Sequence, residues 1–150
     1  MDKNLASTPP KKIGISDKGQ ERSVISIIRA DALKEGVDPD SLIYSLGELV
    51  KDPYYQLVQF NNTVFLLHMT QPYTIELSLF SDDNIMGIMS SLKQMIAMAK
   101  SQGFKKGIAY TDQPVFKDAV KRSNLPIKMT QTVENMGGEM KPVYKFEMDI

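Results

Sequence analysis

The chain has 150 residues, 42% hydrophobic and 24% charged, enough for one globular domain with a real core. Eighteen basic residues balance eighteen acidic ones, so the overall charge gives no signal for nucleic acid or an anionic membrane. The lack of cysteine excludes disulfides and thiolate metal sites, and a single histidine argues against a histidine-based zinc site.

No apolar run approaches the roughly 18 residues that span a bilayer. The opening "MDKNLASTPPKK" lacks the apolar core of a signal peptide, so a cytoplasmic site of synthesis is expected. Residues 1–22 carry no hydrophobic period, and Pro9, Pro10, Gly14 and Gly19 interrupt them. They read as an N-terminal arm, flexible or held by a protein partner, ahead of a domain over residues 23–150.

"SVISIIRAD" alternates Val24, Ser26 and Ile28 against Ile25, Ile27 and Arg29, which predicts an opening strand followed by a helical turn near Ala32–Glu35. Asp40 or Ser41 caps a helix bearing Leu42, Ile43, Leu46, Leu49 and Val50, and Pro53 stops it. "YYQLVQFN", "TVFLLHMTQ" and "TIELSLF" are three strands. They are joined by a tight turn at Asn61 and Asn62 and a second at "QPYT", and so are antiparallel neighbours.

Asp82 or Asp83 then caps a helix whose stripe is Ile85, Ile88, Met89, Leu92, Met95, Ile96 and Ala99, ended by Gly103 in the left-handed position. "KKGIAYT" reads as a short buried strand. Asp112 caps a helix with Pro114 in its first turn, packed through Val115, Phe116, Ala119 and Val120. "IKMTQTV" and "PVYKFEMDI" close the chain as a hairpin around the long loop "ENMGGEMK". The order β-α-α-β-β-β-α-β-α-β-β predicts an α/β (α+β) domain. Its single mixed, mostly antiparallel sheet carries helices on both faces.

This order resembles the GNAT (GCN-five-related N-acetyltransferase) fold over about residues 23–150. "ISIIRAD" is similar to that family's opening strand and first helix, "TIELSLF" to its central fourth strand, and "IMGIMSSLKQMIAMAKSQGF" to the helix after it. "KKGIAYTDQPVFKDAVKRSN" is similar to its fifth strand and fourth helix. The resemblance implies a site in the turn after the fourth strand. In active members that turn reads Gln/Arg-x-x-Gly-x-Gly/Ala, and its amides cradle the pyrophosphate of acetyl-CoA at a helix N-terminus.

The matching segment here is "NIMGIM". Asn84 stands for Gln/Arg, Gly87 is kept, and Met89 replaces the second small residue, bringing a long side chain toward the phosphate space. Asp82 and Asp83 add negative charge, each opposing an anion by on the order of 1 kcal/mol in a solvated site. The helix dipole returns only roughly 0.3–1 kcal/mol. Active members often carry a tyrosine acid on the fourth helix. That position falls near Val120, and Lys121 beside it is a poor acid at neutral pH. The general base of some members is a glutamate on the fourth strand, which makes Glu76 the candidate here. His68 is the other candidate base, though after Val64 and Leu66 on one strand face it reads first as a hydrogen-bonded structural histidine.

The degenerate turn implies a module that has lost catalysis and serves structure or protein interaction through its arm and methionine-rich surfaces, with no cofactor. Small degenerate members occur among bacteriophage virion and virion-assembly proteins, which extends the expectation to a virion component. The alternative is an active acetyl-CoA-dependent N-acetyltransferase with a divergent CoA turn and Glu76 as base. No metal ligand set, nucleic-acid surface or membrane segment is expected.

Overall fold

The computed structural model describes residues 23–136 and 138–150. The expected N-terminal arm, residues 1–22, lies outside them. The elements run α1 (Val24–Glu35), α2 (Pro39–Leu49), β1 (Tyr55–Phe60), β2 (Thr63–Gln71), β3 (Thr74–Ser81), α3 (Ile85–Ser101), β4 (Lys106–Thr111), α4 (Pro114–Arg122), β5 (Ile127–Met136) and β6 (Glu139–Asp149).

The expected opening strand is a helix. Residues Val24, Ile27, Ile28 and Ala32 recur at helical spacing and are all buried, while Ile25 is exposed. The Ser23 hydroxyl accepts the Ser26 N–H at 3.2 Å, and Gly36 ends the helix at φ 72°. The β-branched composition fits either period. Burial of one helical stripe against Val64, Leu66 and Phe80 of the sheet, with a cap at each end, selects the helix.

Other helix starts shift by a residue or two. Asp38, not Asp40 or Ser41, caps α2, because Pro39 fits the first turn and Asp38 Oδ2 accepts from both the Ser41 amide and hydroxyl. Asn84, not Asp82 or Asp83, caps α3. Gln113 precedes α4 without a side-chain cap, and Asp112 instead lies 3.9 Å from Lys141. The expected loop "ENMGGEMK" is almost all strand. Gly138 at φ 89° donates its N–H to Asn135 Oδ1 at 2.9 Å, and the β5–β6 ladder continues to Met136 and Glu139.

The six strands form one mixed sheet in the order β1-β2-β3-β4-β6-β5. The β3–β4 pair is parallel and the other four are antiparallel. On one face α1 and α2 cover a core of Ile27, Ile28, Leu46 and Val64. On the other, α3 closes over Phe65, Leu67, Ile75, Met95 and Ala99. No helix among the described residues is long and apolar enough to cross a membrane.

One irregularity positions the site. The β3–β4 ladder covers only Thr74–Leu77 and Lys106–Ala109, although β3 runs on to Ser81 and β4 to Thr111. Beyond Leu77 and Ala109 the two strands part. In consequence β4 is half-buried throughout and is not the buried strand expected, because a cavity runs along it.

Candidate functional site

The site is built where β3 turns into α3. The Asn84 side chain accepts the Gly87 N–H at 2.9 Å, an ordinary N-cap. Helix geometry leaves the Ile85 and Met86 amides without an intrahelical acceptor. They are the donors open to an anion at the positive end of the α3 dipole.

The two aspartates before the helix are already engaged. Asp83 Oδ2 accepts from the Asn62 amide at 3.1 Å and the Thr63 hydroxyl at 3.0 Å, tying α3 to the β1–β2 turn. Asp82 lies 3.4 Å from Lys34 Nζ, which also donates to the Ser81 carbonyl at 3.2 Å. Lys34 therefore offsets the repulsion of a phosphate expected from Asp82, whereas the partners of Asp83 are neutral and fix its place without adding a countercharge. The reason is tertiary: the partners lie about 20 and 50 residues away in sequence.

Gly87 and Met89 also change meaning. A Cβ on Gly87 would sit 2.9 Å from Asp83 Cβ, so the glycine makes room for that aspartate. Met89 is buried and faces the cavity wall, so it does not fill the phosphate approach as expected. Of the three positions read from the turn, Asn84 and Gly87 meet at the helix start and Met89 lies within the core.

Beneath this turn lies a cavity of about 300 Å³ between the sheet, α3 and α4. Its head is the gap where β3 and β4 part, with Ser78 and Leu79 on one strand and Tyr110 on the other. Met89 of α3 and Phe116 and Val120 of α4 form its walls. Val120, where the family's tyrosine acid was expected, supplies only hydrocarbon.

Glu76 is half-buried, next to His68 on β2 and Ile108 on β4. It faces the α1–α2 side and makes no hydrogen bond or ion pair among the described residues. His68 stacks on Tyr55, with ring centroids 4.0 Å apart and planes at 6°, in place of the hydrogen-bonded role expected of it. Tyr110 follows Ile108 by two residues and shares the face of Glu76. Burial pushes its phenol above the ordinary tyrosine value; Lys145 opposes this and Glu134, Glu76 and Glu147 add to it. Glu147 is itself held charged, below the usual range, chiefly by the Lys106 ammonium at 3.1 Å, with Lys145 at 3.7 Å.

Sequence reading missed Tyr110. It sits in a strand that resembled plain core, and no local pattern marks where β3 and β4 separate. Among the described residues no group of three or more His, Cys, Asp or Glu could hold a metal.

No family model and no curated protein matches the sequence. Solved structures do resemble the fold. A spermidine N-acetyltransferase chimera from Vibrio cholerae and hSSAT superposes with a TM-score of 0.60 at 9% identity, covering 83% of this chain and 89% of that one. A Bacillus subtilis acetyltransferase in complex with CoA gives 0.58 at 14% identity over 87% and 95%. A ribosomal-protein-alanine N-acetyltransferase from Brucella melitensis gives 0.57 at 14% identity over 85% and 92%. The fold is that of GNAT acetyltransferases.

Proposed function

We propose that this chain is a CoA-thioester-dependent N-acyltransferase, with acetyl-CoA the donor that the fold implies. The observation that carries this is the parting of β3 and β4 at the head of an apolar cavity, beside the open amides of α3. The residues present fit coenzyme A. The cavity suits the pantetheine arm, and strand edges beyond Leu77 and Ala109 lie outside the β3–β4 ladder and are available to its amides. The Ile85 and Met86 amides are suited to the pyrophosphate. When bound, the cofactor supplies an acyl thioester. Glu76 and Tyr110 face the α1–α2 side, so they would meet the thioester through the gap between β3 and β4: there Glu76 Oε takes the proton that an attacking amine gives up, and the Tyr110 hydroxyl, which holds a proton at neutral pH, donates it to the leaving thiolate.

The reading of a module without catalysis rested on the altered turn, with Asn84, Met89 and the two aspartates, and on the missing tyrosine near Val120. Met89 lies in the wall and Lys34 stands beside Asp82, which supports the reading of an open turn over that of a blocked one. Nothing in the fold supports a virion placement.

The test is acetyl-CoA binding by calorimetry and thermal shift. At about 100 times its dissociation constant the ligand adds roughly 2.7 kcal/mol of stability. No heat and no shift at millimolar acetyl-CoA overturns the proposal. A thermal shift with no amine-dependent release of free CoA thiol across primary amines would retain the binding site and reject the catalysis.

A further inference from the structure

The cavity does not stop where the strands part. Its head is at Ser78 and Tyr110, and its far end is lined by Ile75, Gly107, Ile150 and Ala99. From Ser78 to Ile75 is three residues down β3, about 10 Å at roughly 3.3 Å per residue. We propose that this lower half is an acyl-chain pocket, so that the thioester used carries a medium-length unbranched chain longer than acetyl. The inference rests on the CoA reading above and adds the class of acyl group.

The two halves differ in chemistry. Above Leu77 and Ala109, backbone groups of β3 and β4 lie outside their common ladder and can meet the amides of a pantetheine arm. Below, the ladder from Thr74 to Leu77 occupies them. The side chains there, Ile75, Met95, Ala99 and Ile150, are hydrocarbon or thioether. A polar guest would lose its hydrogen bonds to water and gain none. A hydrocarbon chain loses nothing and removes its surface from water.

Gly107 is the second observation. It lies in the interior of β4, where glycine weakens a strand, and its φ is not positive, so the backbone does not require it. A Cβ there would meet only the Ile150 Cδ1, at an ordinary 3.6 Å. What the missing side chain does is keep the far end open. Met89 and Met95 give walls that adapt to a flexible chain.

The experiment titrates the full chain by calorimetry with acetyl-, butyryl-, hexanoyl- and octanoyl-CoA. Each buried methylene tightens binding about fourfold, so octanoyl-CoA binds roughly 100-fold or more tighter than acetyl-CoA, with a plateau once the pocket is full. Gly107→Leu, which fills the far end, brings the octanoyl-to-acetyl affinity ratio back toward one. Gly107→Val serves the same purpose if circular dichroism shows the leucine variant unfolded. Equal affinity across the series overturns the pocket and leaves the CoA site standing. A preference that survives both fillings places the chain elsewhere and also overturns it. Binding of none of the esters removes both proposals together.

Discussion

Gly87 sits between two demands. Helix propensity favours alanine there by about 1 kcal/mol. Its neighbour Asp83 leaves no room, with a would-be Cβ at 2.9 Å, and Asp83 is fixed by Asn62 and Thr63. Packing wins, since overfilling a fixed contact costs about 1–3 kcal/mol. Gly87→Ala is therefore expected to lower the urea midpoint. An unchanged or raised midpoint would show that Asp83 moves freely.

Asp31 gives a second residue-scale test. Burial raises its carboxyl above the usual value, against the Ser81 N–H it accepts at 3.1 Å. A raised folded-state value means the folded protein binds this proton more tightly than the unfolded chain. Its stabilisation is full below the ordinary carboxylate range and is lost as pH rises through the folded value. At neutral pH the charged form is a burden. Asp31→Asn keeps the acceptor for Ser81 and is expected to match or exceed the wild type at pH 7, with the difference shrinking on acidification. Urea melts at both pH values decide it, and a gap that widens toward low pH sinks the assignment. Glu76→Gln is expected to cut turnover on the order of 100-fold or more while leaving donor binding unchanged. Tyr110→Phe should remove an alkaline fall in rate that lies above the ordinary tyrosine value near 10. A pH profile identical to the wild type would exclude Tyr110 as the proton source.

At the scale of elements, the start of α3 does two jobs that compete. Asn84 caps the Gly87 amide, which stabilises the helix but withdraws one donor from any anion. Asn84→Ala should cost about 1 kcal/mol of stability. It also frees a third amide, so affinity for acetyl-CoA should hold or rise. A fall in affinity would mean that the Asn84 side chain itself touches the phosphates. The α1 segment shows a different competition. Val24, Ile25, Ile27 and Ile28 suit a strand by composition, yet the Ser23 cap, the Gly36 terminus and a stripe facing Val64 and Phe80 make it a helix. By contrast β1, β2, β3 and α3 were legible, because strict alternation, the Asn61 turn at φ 54° and the Gly103 stop at φ 90° are local signals.

At the scale of the molecule, one sheet joins two cores. Ile27 lies in the α1–α2 core and Ile75 in the α3 core, both essentially inaccessible. Ile27→Val and Ile75→Val should each cost about 0.5–1.5 kcal/mol. Being on opposite faces they should add to within about 0.5 kcal/mol, in one cooperative transition followed by circular dichroism. Two transitions would mean that the cores melt separately.

The sequence by itself determined the element order from Asp38 onward, the mixed sheet with helices on both faces and the resemblance to GNAT proteins, because period, caps and turn residues act over a few positions. Only the tertiary structure decided the rest. It turned residues 24–35 into a helix, moved Met89 into the wall, gave Asp82 and Asp83 their partners Lys34, Asn62 and Thr63, and placed Tyr110 just past the end of the β3–β4 ladder, on the face of Glu76. Those outcomes depend on contacts between distant segments, whose energies no local pattern encodes. The separation of two strands, on which the proposed site rests, is such an outcome.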